Sequence, residues 1–200
     1  AEKSMHDKHN RTTNPYSHLT LLARNAKGWE NLMKLSSDSH TKGMSVRPRV
    51  DMDLLAQHAE GLTVLSGCMS GPVNKLLRRE QEAEARQMAG TLADMFGREH
   101  FFLEIMRNGM KEQDDLTTAM MRMKDQVSLP VVATNDVHYS RHEDCNLQDA
   151  LLCLGTGGKF ADPNRWSFDT DTLFFRTREE MNRVFQDLPE ALRNTIDVAD

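Results

Sequence analysis

The chain has 200 residues, of which 38% are hydrophobic and 28% are charged, and its formal net charge is −5. This length and composition indicate one globular domain and exclude a disordered tail or a fibre. No apolar run approaches the roughly 18 residues that a membrane span needs, and no signal peptide is visible. Because an acidic chain repels phosphates, any contact with DNA must be local, through basic clusters or bound cations.

Short apolar runs alternate with helical patterns along the chain. Residues 1–17 are polar and aperiodic, which predicts a loop or a cut end. Strands are predicted at 18–23, 62–65, 101–105 and 131–138, and helices at 29–42, 51–59, from 72, 80–96, 112–127 and 142–154. This alternation is typical of a parallel sheet with crossover helices, and the number of strands fits an open sheet or part of a barrel. After Gly155 the chain is loop-rich until two short helices in 178–200, so we predict a boundary near residue 155.

The pair Asp136 and His138 follows the apolar run 131–134. Side chains two positions apart on a strand point to the same face, and sites in α/β folds form at the carboxyl ends of strands. A carboxylate and an imidazole at such a place are typical of a metal or phosphoester site. The alternative is a surface histidine beside an aspartate that caps a turn.

The three cysteines, Cys68, Cys145 and Cys153, are an odd number without tight spacing, which argues against disulfides and fits a reducing cytoplasm. Cys68 follows strand 62–65 and precedes a helix opened by Pro72, so its thiolate is placed to bind a transition metal. The alternative is a small buried residue in a tight glycine turn. Core packing is the better interpretation of Cys145 and Cys153. His18 precedes a strand, so the carboxyl-end rule gives it no role.

Several motifs resemble the PHP (polymerase and histidinol phosphatase) domain of bacterial replicative DNA polymerase III alpha subunits. The matching segments in the first part of the chain are His18–Asn25 with Gly28 and Asn31-Leu32, Glu60–Leu62 with Leu65–Cys68, Phe102–Glu104, and Ala133–Tyr139. Further along, the segments Asp162–Arg165, Phe168, Glu179–Met181 and Pro189–Ala191 resemble the link from that domain to the polymerase palm. The resemblance runs in order through nearly the whole chain.

The resemblance implies an α/β fold, a distorted TIM-like βα barrel that has seven strands in the family and is partial here. It places the PHP domain at 1–154, without its N-terminal strands, and a mainly helical linker with the start of the polymerase region at 155–200. The family's first histidine ligands are expected before residue 1, and the catalytic aspartates of the palm after residue 200. We therefore expect an internal piece of a longer polymerase that is inactive by itself.

By the same resemblance, His18, Cys68, Asp136 and His138 are expected metal ligands. Glu104 ends a strand on the same face, so we expect it to support these ligands. The expected cofactors are divalent ions (zinc, manganese or magnesium), and the expected activity is a 3′–5′ exonuclease that removes mismatched nucleotides. The whole protein is expected to synthesise DNA in the cytoplasm. Its expected partners are the primer-template, replisome subunits including the sliding clamp, and a proofreading subunit, with no membrane. Two alternatives stay open, a non-catalytic docking scaffold and a stand-alone metal phosphoesterase.

Overall fold

The computed structural model of the protein describes residues 4–7 and 16–200. The loop predicted for 1–17 therefore lies largely outside the described residues. Within the short described stretch, Met5 is 6% exposed and packs in the main hydrophobic core. The buried Arg49 guanidinium donates to the backbone oxygen of Met5 at 2.8 Å, so this segment is fixed to the body of the domain.

Four strands and eight α-helices are formed by the described residues. The strands are β1 (Thr20–Ala23), β2 (Leu62–Leu65), β3 (Phe101–Met106) and β4 (Val131–Thr134). The helices are α1 (Ala26–Thr41), α2 (Met52–Gln57), α3 (Pro72–Leu77), α4 (Glu82–Phe96), α5 (Lys111–Val127), α6 (Cys145–Thr156), α7 (Arg178–Val184) and α8 (Pro189–Ala199). Each predicted helix is present within a few residues. None of these described helices is long and apolar enough to cross a membrane.

The sheet is mixed, and the prediction of a parallel sheet is wrong for its first strand. The order is β1-β2-β3-β4, with β1 antiparallel to β2 and the other two pairs parallel. Thr20 pairs with Leu65 and Ala23 pairs with Leu62, so the start of β1 lies beside the end of β2. The alternation of apolar residues does not encode strand direction, which is why the sequence pattern missed this reversal.

Both faces of the sheet are covered. One face carries Val64, Leu103 and Val131 into the main core beneath the helices. The other face presents Leu65, Phe102 and Val132, against which Val198 of α8 packs. Four strands in one mixed sheet are consistent with part of a PHP barrel, and the described residues do not form a closed seven-stranded barrel.

The segment after residue 155 packs on the sheet. Phe185 and Ala191 are fully buried in the same core as the strands. The Asn194 side chain donates a hydrogen bond of 2.7 Å to the backbone oxygen of Val131 in β4. The domain boundary at residue 155 stays a prediction. These contacts join the segment after residue 155 to the sheet that precedes it.

Candidate metal centre

The pair Asp136 and His138 lies just beyond β4, not on it. The strand ends at Thr134, and Asp136 has a backbone φ of 52°, so the predicted continuation of the strand to residue 138 is wrong. Aspartate tolerates this left-handed conformation better than most residues, because its short polar side chain bonds locally. The turn still brings Asp136 Oδ1 to 3.4 Å from His138 Nε2. The two side chains converge through the turn and not through the two-residue period of a strand.

His18 and Cys68 form the second pair. The His18 Nδ1 atom lies 3.5 Å from the Cys68 Sγ atom, and the His18 backbone N–H donates to Ser70 at 3.0 Å. The antiparallel direction of β1 causes this contact, because it sets the residues just before β1 beside the turn that follows β2. Sequence reasoning alone gave His18 no role, and knowing the direction of β1 was the missing signal.

Glu104 of β3 lies buried below these pairs, with 6% of its surface exposed. Its carboxylate accepts from the Gly67 backbone N–H at 3.0 Å and from the Thr134 hydroxyl at 2.7 Å. These bonds connect the ends of β2, β3 and β4. The sequence suggested Glu104 only weakly, and it did not point to Gly67 or Thr134.

Negative charge concentrates at this edge of the sheet. Burial raises the pKa of the Cys68 thiol, and the nearby charges of Asp136 and Glu104 raise it further. Burial also raises the pKa of Glu104, against the lowering effect of its hydrogen bonds from Thr134 and Gly67, and the charge of Asp136 adds to the rise. The two pairs therefore lie close enough to interact electrostatically, and a bound cation would stabilise the ionised forms.

The donor types fit a divalent transition metal, because a thiol, two imidazoles and a carboxylate are its usual protein ligands. His18 and His138 are exposed, and Cys68 and Asp136 are half-buried, so all four are accessible. Among the residues that the structure describes, however, no three His, Cys, Asp or Glu side chains are grouped closely enough to hold a metal ion. The described donors are thus two neighbouring pairs and not a complete coordination set.

Two cavities border the candidate residues. One of about 20 Å³, room for about one water molecule, is lined by Cys68, Glu104 and Gln113. The other, of about 830 Å³, lies between β1 and helices α1, α2 and α4, and His18 is the single one of the four candidates on its wall. The accessible chemistry at the pairs is therefore on an open edge of the sheet and not in a deep pocket.

We expect Thr134→Val to lower the free energy of unfolding by about 1–2 kcal/mol, because it leaves the buried Glu104 carboxylate without one donor. In the wild type, the hydrogen bond from Thr134 lowers the pKa of Glu104. Its loss in the variant should therefore raise this pKa further. A folded-state pKa above the unfolded value means that stability is lost as pH rises, so the deficit should be larger at pH 7 than at pH 4.

Urea denaturation at both pH values measures this difference. The control is Thr118→Val, whose exposed hydroxyl donates to the Asp114 backbone within α5 at 2.9 Å. Equal losses in the two variants would contradict the role given to Thr134.

Known proteins share extensive sequence similarity with this chain. Residues 2–108 match the PHP domain family. The chain is 41% identical to the DNA polymerase III subunit alpha of Treponema pallidum, 38% to that of Borreliella burgdorferi and 36% to that of Mycobacterium tuberculosis. Each match covers 92% of this chain and 16% of the relative, so the chain spans about a sixth of their length.

The family match covers more than half of the chain and includes β1, β2, β3, His18, Cys68 and Glu104. Asp136 and His138 lie outside that match and inside the stretch similar to the alpha subunits. The resemblance found in the sequence motifs is thereby confirmed, and the chain belongs to the PHP domain family.

Proposed function

We propose that this PHP region belongs to a DNA polymerase III alpha subunit and removes mismatched nucleotides as a metal-dependent 3′–5′ exonuclease. The whole protein would synthesise DNA during replication in the cytoplasm. Its partners would be the primer-template and replisome subunits, including the sliding clamp and a proofreading subunit. Residues 1–154 would form the PHP domain and 155–200 the linker toward the polymerase region.

The observation that carries this proposal is the contact of 3.5 Å between His18 Nδ1 and Cys68 Sγ, two residues about 50 positions apart, at the edge of the sheet where the Asp136–His138 pair also lies. The charge of Asp136 raises the pKa of the Cys68 thiol, so the two pairs influence each other. Core packing alone gives no reason to gather a thiol, an imidazole and a carboxylate where solvent reaches them.

PHP domains are in general metal-dependent, and here His18, Cys68, Asp136 and His138 would hold the ions. Zinc, manganese or magnesium bound there would polarise a phosphodiester and lower the pKa of water. The chain's own residues prepare the site. Glu104 fixes the Gly67 turn from which Cys68 extends, and Thr134 anchors Glu104.

The test is hydrolysis of a mismatched primer end by the alpha subunit that carries this sequence. A 5′-labelled primer with one unpaired 3′ nucleotide is incubated with manganese or zinc, and in parallel with a chelator. We expect stepwise shortening from the 3′ end with metal and none with the chelator. Shortening that is equal in both conditions, or absent with every metal, would contradict the proposal.

A second candidate, a non-catalytic docking scaffold, is favoured by one surface of α6. Leu147, Leu151 and Leu154 are 61%, 53% and 81% exposed. Their spacing places them along one stripe of the helix, and contiguous exposed apolar surface is typical of an interaction site. In that case Leu151→Glu should weaken the association of the PHP region with the rest of the polymerase or with a proofreading subunit, while chelation of metal changes nothing.

A further inference from the structure

Arg176 is a cation at the functional edge of the sheet whose charge has no carboxylate partner. It follows Phe174 and Phe175 in the segment that leads into α7. No carboxylate oxygen within the described ranges forms an ion pair with its guanidinium, although eleven Lys or Arg ion pairs, including the Arg107–Asp187 contact of 2.5 Å, are formed elsewhere. The charge of Glu180 acts on Arg176, but the Glu180 carboxylate accepts a hydrogen bond from the Thr177 backbone N–H at 2.7 Å.

Two asparagines fix the guanidinium in place. Nη1 of Arg176 donates to Asn108 Oδ1 at 2.7 Å and to Asn135 Oδ1 at 2.7 Å. Asn108 follows β3 and Asn135 follows β4, so both supports lie at carboxyl ends of strands. Asn135 Nδ2 in turn donates to the Phe174 backbone at 2.5 Å, and Asn108 is fully buried. The side chain is therefore held rigidly by neutral groups.

This anchoring leaves the other edge of the guanidinium available. In the described part of the chain Nε and Nη2 bond to no protein group, and neither is among the buried atoms that lack a partner. The Nε–Nη2 edge is the one that contacts phosphate or carboxylate oxygens in a bidentate way. The Phe174 ring, 5.5 Å from the guanidinium carbon, backs one face of the group.

The segment that carries Arg176 runs beside the Asp136–His138 turn. The backbone N–H of His138 donates to Leu173 at 2.8 Å, and Tyr139 forms a bridge with Phe174. Arg176 is thus hydrogen-bonded to Asn135, the residue that precedes Asp136. An anion held by Arg176 would lie along the same edge as the candidate metal ligands.

We propose that Arg176 binds a phosphate group of a DNA strand and thereby positions that strand at the PHP site. This inference rests on the proposed function in taking a phosphodiester as the anion. It gives an acidic chain the local cationic contact that DNA binding requires. Arg176 is a positioning residue and takes no part in bond cleavage.

The test is the binding of a fluorescein-labelled oligothymidylate to the protein in a chelator, at several salt concentrations. We expect Arg176→Gln to weaken binding about 5- to 10-fold at low salt and to reduce the slope of log affinity against log salt by about 0.7, the value for one phosphate contact on a single strand. Arg176→Lys keeps the charge and loses the bidentate edge. Its affinity and salt slope should lie between those of the wild type and those of Arg176→Gln.

The matched control is Arg107→Gln, which removes an arginine at the end of β3 whose charge Asp187 already neutralises. It changes the net charge equally and should leave affinity within about 2-fold of the wild type. Unchanged binding in Arg176→Gln, equal losses in the two variants, or no binding by the wild type would overturn the inference. Because no metal is present, the result is independent of whether the site hydrolyses DNA.

A measurement on the wild type covers the case in which Arg176→Gln fails to fold. The guanidinium Nε–H resonance of Arg176, assigned by its absence from the spectrum of Arg176→Lys, should shift when the oligonucleotide is added. The same resonance is followed with inorganic phosphate alone. A shift with the oligonucleotide supports the inference, whereas no shift, or a shift with inorganic phosphate only, contradicts it.

Discussion

Gly67→Ala is expected to lower the free energy of unfolding by about 3 kcal/mol, because it combines backbone strain with a clash against main chain. Gly67 has a φ of 87°, and a Cβ at this position would lie 2.5 Å from the His18 backbone oxygen. That oxygen cannot move freely, because the His18 backbone is paired with Ser70 beside the β2 turn. The substitution should therefore also separate His18 from Cys68.

The control for this prediction is Gly90→Ala. Gly90 lies inside α4, and nothing is within 4 Å of the place where its Cβ would be. Alanine should stabilise that helix by about 0.5–1 kcal/mol, an effect of opposite sign. Urea denaturation of both variants measures the two changes. A Gly67→Ala protein as stable as the wild type would show that the turn after β2 is not constrained as described.

Asp136→Asn is expected to reduce metal-dependent hydrolysis of a mismatched primer end by at least about 100-fold in the alpha subunit that carries this sequence. The change keeps the shape of the side chain and removes the charge that acts on Cys68 and on Glu104. Cys68→Ala should have a similar effect, because it removes the thiol that faces His18. Initial rates at saturating primer, with metal in excess, measure both losses.

The matched control for Asp136→Asn is Asp171→Asn, which removes an exposed carboxylate 3.2 Å from the His142 ring. It removes one negative charge from a comparable aspartate–histidine pair that contains no proposed ligand. Hydrolysis should be unchanged in this variant. Hydrolysis that survives in both Asp136→Asn and Cys68→Ala would leave the scaffold function as the better account.

Strand positions could be predicted from the sequence because short apolar runs bounded by glycine and proline mark them locally. β2 ends at Leu65 as predicted, whereas β4 ends at Thr134 and not at residue 138. Strand direction could not be predicted in this way, since it depends on how the long segment containing α1 and α2 returns to the sheet. For this reason His18 was found through its family motif, and its contact with Cys68 became explicable only with β1 antiparallel.

The candidate site was predictable in its residue types and less so in its geometry. Asp136 and His138 were paired by a strand rule that does not hold, because the chain turns at Asp136. Arg176 had no signal in the sequence. A single arginine between an aromatic pair and a threonine is ordinary, and its lack of a carboxylate partner depends on the tertiary placement of Asn108 and Asn135.

The central claim is that the His18–Cys68 pair and the Asp136–His138 pair bind divalent cations at one edge of the sheet. The most direct measurement is the anomalous diffraction of crystals grown with zinc, recorded at the zinc absorption edge. We predict a peak about 2.3 Å from Cys68 Sγ and about 2.1 Å from a His18 ring nitrogen. The Asp136–His138 pair should complete the coordination of that ion or bind a neighbouring ion. A map without a peak at these side chains, or with zinc bound only at Cys145 or Cys153, would contradict the account.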